Sequence, residues 1–220
     1  MIEHPLKGKW ILHYFDGGEP WRSISDLPED EALAINAKTG KKSGVCSVTG
    51  KEKYYQDRLQ VEAWDRTQHI NRGGCVDSLN PVYAILSDVE IPEKPYRPGN
   101  CIAIPAEHIP VEFLSLTFGD SFPNYFLSRE RDKTMASPHL WGRSYSPKDL
   151  IDVLADRPLC QDWLPEKYSG KNSFYVEVRI YTRNLPTSQD FERPNALRPQ
   201  EQILGNFGYA RPKLEQRHHS

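Results

Sequence analysis

One segment near the C-terminal end of the chain places a carboxylate and a guanidinium on the same side of a predicted strand. Apolar and polar residues alternate over residues 174–181, so Glu177 and Arg179 share one face with Tyr175 and Tyr181. A carboxylate on such a face can stabilise positive charge or move a proton if the face lines a cleft. If the face meets solvent, Glu177 forms only a surface pair with its arginine neighbour, which is the commoner arrangement. The pattern leaves both interpretations open.

A second candidate is His13, which stands in residues 9–15, an aromatic and β-branched segment that predicts a buried strand followed by a turn. A histidine among apolar neighbours can serve a site, and it can equally bond a backbone carbonyl inside a core. Three further histidines follow no metal-binding spacing, so we predict no sequence-local metal site; they are His69, His108 and His139.

Other charged side chains favour ordinary surface roles. Arg58 and Glu62 lie four residues apart on a predicted helix, which is typical of a surface ion pair. A basic and aromatic neighbourhood could hold phosphates and stack a base, but its acidic residues favour a solvated loop. It comprises Arg129, Arg131, Lys133 and Arg143 beside Tyr125, Trp141 and Tyr145, with Glu130 and Asp132 between them. The chain has no Walker or dinucleotide glycine-rich motif, and no Gly-x-Ser-x-Gly elbow surrounds Ser121.

The elements that must position these residues predict an α+β fold. Three strands are separated by turns that contain Pro and Gly, and we expect them to be antiparallel neighbours. They span about 82–86, 101–104 and 111–118, and a short strand is expected over 124–128. Helical spacing and capping residues predict about three flanking helices. These span about 28–37, 52–68 and 147–155.

The domain organisation follows from these elements. We predict one α+β domain over residues 1–186, with a mainly antiparallel, split sheet. Beyond it, residues 187–220 are polar and interrupted by proline, so we expect an extended, partly ordered tail.

The overall composition limits the kinds of partner and the cellular compartment that we expect for the protein. The 220 residues carry a formal net charge of −2 with histidine neutral, so no global field draws the protein to nucleic acid or anionic lipid. No stretch approaches the roughly 18 apolar residues of a membrane-spanning helix, and the first residues do not form a signal peptide. The four cysteines form no Cys-x-x-Cys pair and fit reduced thiols better than disulfides. We therefore expect a cytoplasmic protein without a membrane partner.

The order of these elements resembles the ADP-ribosyltransferase superfamily, especially the branch of bacterial toxins that modify DNA and RNA. Four segments covering about half of the chain carry the resemblance: Ile11–Phe15, Asn80–Leu86, Leu116–Ser121 and Phe174–Arg179. In that superfamily the closing strand tends to carry the catalytic glutamate, a position that corresponds to Glu177. The resemblance implies a split antiparallel sheet with NAD bound in its cleft.

The resemblance also implies roles for individual residues. Glu177 would bond the nicotinamide ribose and stabilise the oxocarbenium-like state as nicotinamide leaves, because positive charge develops on the sugar. His13 would bond the adenosine ribose, and Tyr83 or Tyr55 would stack on nicotinamide. Arg58 would contact the phosphates of NAD. The ADP-ribose would pass to a macromolecule, either a nucleic acid or a protein.

The chain departs from the superfamily pattern, and other functions stay open. It has no Ser-Thr-Ser motif, and Tyr175 stands where enzymes that modify protein arginine have Gln or Glu. A binding or interaction protein without catalysis is one alternative. A metal-dependent nuclease is another, and its scattered acids would be Asp77, Asp88 and Glu90. Convergence of His13 and Glu177 on one pocket would favour the transferase.

Overall fold

Six β-strands and four α-helices make up the regular structure in the described part of the chain. The computed structural model describes residues 3–15, 20–39, 51–88, 90, 100–129, 141–156, 176–185 and 197–198. The strands are β1 (Trp10–Phe15), β2 (Val82–Ser87), β3 (Asn100–Pro105), β4 (Leu114–Phe118), β5 (Val176–Ile180) and β6 (Leu197–Arg198). The helices are α1 (Glu29–Thr39), α2 (Lys51–Asn71), α3 (Ser121–Arg129) and α4 (Pro147–Asp156). The predicted α+β class is confirmed.

All six strands form one antiparallel sheet in the order β4-β5-β2-β1-β3-β6. The expectation that β2, β3 and β4 are neighbours is wrong, because β1 lies between β2 and β3 and β5 lies between β2 and β4. β1 and β5 each have a strongly apolar face, and a position inside the sheet buries such a face better than an edge does. The centre of the sheet is therefore built from strands that are distant in sequence.

The ladder between β1 and β2 is short. It has three residue pairs, from Trp10↔Ser87 to Leu12↔Ile85, whereas β1 and β3 pair over six residues. Beyond Leu12, the side chain of His13 contacts β2 where the backbone ladder has ended, and its Nδ1 lies 2.8 Å from the carbonyl oxygen of Tyr83. The sheet is thus joined at this point by a side chain in place of backbone hydrogen bonds.

One face of the sheet carries the main apolar core. Alternate residues of the strands point to this face, among them Ile11, Ala84 and Val178, all at most 4% exposed. Leu150 of α4 and Trp141 cover them from outside the sheet. Burial of these side chains supplies most of the favourable free energy of folding, at about 25 cal/mol per Å² of apolar surface.

The opposite face is polar over β4 and β5, yet it is buried because α2 lies across it. Every residue of both strands is buried, including Ser115, Thr117 and Arg179. The common arrangement, in which such a face meets solvent, does not hold here. The side of α2 that meets the sheet carries buried acids, and Asp65 is among them with no exposed surface. Two polar surfaces therefore meet inside the fold.

Four details of the element boundaries follow from local chemistry. The predicted short strand over 124–128 is wrong, because those residues belong to α3. Asp120 caps this helix, since its Oδ1 accepts a hydrogen bond from the N–H of Phe122 at 2.8 Å. Gly119, at φ +63°, provides the left-handed turn between β4 and the cap. Residues 111–113 form a 3-10 turn, so β4 begins only at Leu114.

The three predicted helices are all present in the structure. The helices expected over about 28–37, 52–68 and 147–155 are confirmed as α1, α2 and α4, with α2 longer than expected at 21 residues. Of the segment 187–220, only the two residues of β6 are described, and they pair with β3. None of the described helices combines the length and apolar character needed to span a membrane.

Candidate functional site

Glu177 lies in a buried polar cluster between the sheet, α2 and the start of α3. Its position on β5 is opposite Thr117 of β4 and Ile85 of β2, and 9% of the residue is exposed. Oε1 accepts two hydrogen bonds, from Nη1 of Arg179 at 3.0 Å and from the backbone N–H of Ser121 at 3.2 Å. Both bonds end on the same oxygen, and in the described part of the chain no donor is in hydrogen-bond geometry with Oε2.

Arg179 holds Glu177 in place and is shared between two carboxylates. Its Nε lies 2.8 Å from Oδ2 of Asp65 on α2, as an ion pair with no exposed side-chain surface on either residue. Asp65 also accepts hydrogen bonds from Tyr181 Oη at 2.7 Å and from Ser115 Oγ at 2.9 Å. One buried positive charge therefore faces two buried carboxyl groups.

Asp120 brings a third carboxyl group to the cluster, at the loop before α3. Burial raises the pKa of Glu177 to about 7, and the nearby charge of Asp120 raises it as well, whereas Arg179 opposes the rise. Burial also raises the pKa of Asp120. Two neighbouring carboxyl groups whose pKa values are both raised interact strongly enough to be coupled in their protonation. The cluster can therefore hold or release a proton at neutral pH.

Tyr83 and Arg58 form the next part of the cluster. Tyr83 is the cross-strand partner of Arg179, and the guanidinium carbon of Arg58 lies 4.2 Å from the centre of the Tyr83 ring. Nε of Arg58 donates to Glu62 Oε1 at 2.9 Å and to Ser25 Oγ at 3.0 Å. The prediction of a surface Arg58–Glu62 pair is wrong, because α2 turns this side toward the sheet and Glu62 is 1% exposed.

Several polar atoms near Glu177 are buried without a hydrogen-bond partner among the described residues. Among them are Tyr83 Oη, Ser121 Oγ, and both Nε and Nη2 of Arg179, of which Nε has only its ion pair with Asp65. The Ser121 hydroxyl lies close to the Glu177 carboxylate but outside hydrogen-bond geometry. A buried polar atom without a partner costs about 1–3 kcal/mol, and a group of them beside an ionisable carboxyl marks a place for a polar ligand or ordered water.

An aromatic pair borders the cluster on its more exposed side. The rings of Tyr54 and Phe122 are stacked, with centroids 5.2 Å apart and planes 2° from parallel. Phe122 directly follows Ser121, and the Tyr54 hydroxyl accepts a hydrogen bond from Nη1 of Arg58 at 3.3 Å. Both rings are half-buried. They offer a flat apolar surface next to the ionisable carboxyl groups.

His13 does not join this cluster. It pairs with Ile102 of β3, whose side chain belongs to the main core, so His13 points to the face of the sheet opposite Glu177. The N–H of Trp21 donates to its Nε2 at 3.3 Å, which leaves Nδ1 to donate to the Tyr83 carbonyl. The ring also stacks on Trp21, with centroids 4.7 Å apart. The structure gives His13 the surroundings of a core histidine.

The other candidates lie outside the cluster. Tyr55 packs in a separate apolar group with Leu27 and Ala32, and its hydroxyl donates to the Leu27 carbonyl at 3.3 Å. Arg129 and Arg143 each lie over a tyrosine ring, at 5.5 and 5.3 Å, while Arg131 and Lys133 are outside the described residues.

The acids proposed for a nuclease serve other contacts. Thr182 Oγ1 donates to Asp77 Oδ2 at 3.1 Å, and Lys9 pairs with Asp88. In the described ranges, no three side chains of His, Cys, Asp or Glu come together as a candidate metal site.

No family model matches the chain, and neither a curated protein nor a solved structure is significantly similar to it. The side chains of the cluster are therefore the basis for a functional proposal.

Two members of the cluster, Asp65 and Asp120, were not among the residues singled out from the sequence. A signal for Asp120 exists, because an aspartate after a strand and glycine, followed by Ser121 and Pro123, is typical of a helix start. No comparable signal marks Asp65. It lies on a helix whose acids resemble those of a solvated surface, and only the packing of α2 on β5 shows that it is buried.

Proposed function

We propose that the chain transfers ADP-ribose from NAD to a macromolecular acceptor, with Glu177 as the catalytic carboxylate. The observation that supports the proposal is the state of this carboxylate. Glu177 is fixed through Oε1 by Arg179 and the N–H of Ser121, while Oε2 remains for another donor at the solvent-reaching edge of a buried cluster. Fixed groups of this kind stabilise a developing charge without reorganising during the reaction.

The proposed reaction breaks the bond between the nicotinamide nitrogen and C1′ of its ribose. The bonding electron pair leaves with nicotinamide, and positive charge develops on the ribose. Ionised Glu177 stabilises this charge and accepts a hydrogen bond from a ribose hydroxyl through Oε2. The acceptor nucleophile then bonds to C1′ and loses a proton, which the ionised Glu177 carboxylate can receive.

The surrounding residues suit a ribose and a flat ring. Three polar atoms have no hydrogen-bond partner among the residues that the structure describes, and they are suited to bond sugar hydroxyls or the nicotinamide amide: Tyr83 Oη, Ser121 Oγ and Arg179 Nη2. The half-buried rings of Tyr54 and Phe122 could pack against nicotinamide. His13 and Glu177 lie on opposite faces of the sheet, so the convergence that would favour the transferase is not met. The proposal therefore rests on Glu177 and assigns no role to His13, both of whose ring nitrogens are engaged.

Arg58 has a smaller part in the proposal than the resemblance implies. Its guanidinium already contacts Glu62, Ser25 and the ring of Tyr83. Contact with an NAD phosphate would therefore require Arg58 to leave partners in a buried setting, which is costly for a charged group. We assign it the role of supporting the Tyr83 ring.

The test compares NAD binding and nicotinamide release in the parent protein and in Glu177→Gln. Millimolar NAD should raise the melting temperature of both proteins, because glutamine keeps the shape of the side chain. Nicotinamide release is measured by chromatography, with single-stranded DNA, RNA or protein as the acceptor. It should fall by about 100-fold or more in the variant. Glu107→Gln is the control, since Glu107 is exposed in a 3-10 turn remote from the cluster.

Two results would remove the proposal. One is the absence of any stabilisation of the parent protein by millimolar NAD. The other is equal nicotinamide release by the parent protein and Glu177→Gln, because the carboxylate would then have no part in the reaction.

A further inference from the structure

The guanidinium of Arg179 is held at two edges by carboxylates from different elements. Nη1 bonds Glu177 Oε1 at 3.0 Å, and Nε lies 2.8 Å from Asp65 Oδ2. Arg179 and Asp65 have no exposed surface, so Glu177 alone of the three reaches solvent. The contact at Nε is an ion pair outside hydrogen-bond geometry, and it draws the guanidinium toward Asp65 while Nη1 donates to Glu177 Oε1 and, at 3.1 Å, to Thr117 Oγ1. We propose that Asp65 of α2 is a positioning residue, which fixes the direction of the Glu177 carboxylate through Arg179.

Asp65 is suited to this role because its own carboxylate is fixed. Ser115 Oγ on β4 donates to Oδ1 at 2.9 Å, and Tyr181 Oη donates to Oδ2 at 2.7 Å. The Tyr181 ring is in turn stacked on His69 of α2, with centroids 5.0 Å apart. The contacts join a helix to two neighbouring strands, and groups on rigid elements hold a site more accurately than groups on loops.

Oδ2 of Asp65 accepts the hydrogen bond from Tyr181 and also forms the ion pair with Nε of Arg179, so the hydroxyl and the guanidinium compete for this oxygen. Loss of the Tyr181 hydroxyl makes Oδ2 a stronger partner for Nε and draws Arg179 toward Asp65, away from Glu177. Loss of the Asp65 charge has the opposite effect, because Arg179 is then left to Glu177 alone. The two variants, which change the contact between Asp65 and Arg179 in opposite ways, should therefore shift the pKa of Glu177 in opposite directions.

The other charged or titratable groups that face Glu177 stay unchanged in these variants. Asp120 from the loop before α3 and Tyr83 from β2 lie beside Glu177, and Arg58 and Glu62 of α2 lie beside Tyr83. A difference between the two variants therefore reports on the contact between Asp65 and Arg179.

The experiment measures the pKa of the Glu177 carboxyl by ¹³C NMR on protein labelled at the glutamate carboxyl carbons. The signal is assigned by its absence in Glu177→Gln. Asp65→Asn should lower the pKa of Glu177 by about one unit or more, and Tyr181→Phe should raise it by about half a unit. Asp57→Asn is the matched control, since Asp57 is another buried acid of α2 with no bond to Arg179, and it should leave the value unchanged.

The direction of the pKa shift in Tyr181→Phe decides the proposal. Asp65→Asn also removes a negative charge, and that alone lowers the pKa of Glu177 even if Asp65 does not position the carboxylate. A shift in the same direction in both variants, or no shift in Tyr181→Phe, overturns the proposal. If Asp65→Asn does not fold, the result for Tyr181→Phe still decides.

The catalytic consequence of this role rests on the proposed function and has its own measurement. With NAD as substrate, Asp65→Asn should lower kcat by about tenfold with little change in KM, whereas Asp57→Asn should change neither. Unchanged kcat in Asp65→Asn contradicts the positioning role. If the parent protein does not turn over NAD, the transferase proposal fails, and the pKa shifts still decide the role of Asp65.

Discussion

Glu177 Oε1 lies 3.2 Å from the backbone nitrogen of Ser121, so a carboxylate on β5 meets the first residue of α3. Asp120 caps the same helix end, with its Oδ1 2.8 Å from the N–H of Phe122. A helix N-terminus favours negative charge, whereas burial disfavours it. For Glu177 burial has the larger effect, and the result is a carboxyl group that titrates near neutral pH.

This balance predicts that Glu177→Gln becomes more stable relative to the parent protein as the pH rises. Folding raises the pKa of Glu177 from 4.5 to about 7, so the folded state binds this proton more tightly than the unfolded state does. The associated stability is fully present below pH 4.5 and is lost as the pH rises through about 7. The difference in unfolding free energy between the two proteins should change by about 3 kcal/mol over that range.

Urea unfolding at several pH values between 4 and 8 measures this difference. The exposed control Glu107→Gln should follow the parent protein at every pH. Parallel pH profiles for the parent protein and Glu177→Gln would show that folding does not perturb this carboxyl group.

A comparison of two tyrosines tests whether the cluster holds an unsatisfied hydroxyl. Tyr83 Oη is buried without a partner in the described part of the chain, so Tyr83→Phe should be neutral or stabilising by up to about 1 kcal/mol. The Tyr55 hydroxyl donates to the Leu27 carbonyl at 3.3 Å, so Tyr55→Phe should be destabilising by about 1 kcal/mol. Urea midpoints at constant m-value give both numbers. Equal losses in the two variants would mean that Tyr83 Oη has a partner in solution.

Much of the fold follows from sequence patterns, because strands and helices depend on local periodicity. The alternation around Val178 and the spacing along α2 predict elements that the structure confirms. The order of strands does not follow, since the β2–β5 pairing joins residues almost a hundred positions apart. Asp120 is a residue type that caps helices, yet the sequence predicts a strand over residues 124–128, where the structure has α3.

The candidate site was predictable only in part. Glu177 and Tyr83 stand out in the sequence, and the structure brings them to one face of the sheet. His13 goes to the other face because its register with Ile102 sets its direction, and no local pattern fixes that register. Asp65 reaches Arg179 only through the packing of a helix on a strand. Contacts between distant segments carry no signal in a single sequence.

The turn between β4 and α3 should control the environment of Glu177. Gly119 has φ +63°, and Gly119→Ala should lose about 1–2 kcal/mol of stability because a side chain is strained in this region. The substitution should also raise the pKa of Glu177, since displacement of Ser121 removes a hydrogen bond that favours the charged form. Gly8→Ala is the matched control, at φ +77° with no atom within 4 Å of the added methyl group.

Thermal unfolding and ¹³C NMR separate the two effects. Both glycine variants should lose similar stability, and only Gly119→Ala should shift the pKa of Glu177. An unchanged pKa in Gly119→Ala would mean that the turn does not hold Ser121 against the carboxylate.

The end of α2 should be sensitive to a single methyl group at Gly74. A Cβ there would lie 2.2 Å from Cε1 of His69, and His69 is 2% exposed and stacked on Tyr181, so it has little room to move. Gly74→Ala should therefore be destabilising by about 3 kcal/mol. Gly73→Ala should lose only about 1–2 kcal/mol, because its φ is +85° but no atom lies within 4 Å of the added Cβ.

A double-mutant cycle with His69→Ala shows whether the clash with the ring is the cause. Removal of the ring opens space for the methyl group, so the double variant should be more stable than the sum of the single losses implies, by about 1 kcal/mol or more. If the losses of stability in the two single variants are strictly additive, the destabilisation by Gly74→Ala has its cause elsewhere in the turn after α2. Because His69 stacks on Tyr181, and Tyr181 bonds Asp65, a displaced ring should also disturb the contact between Asp65 and Arg179. Gly74→Ala should accordingly shift the pKa of Glu177, and Gly73→Ala should not.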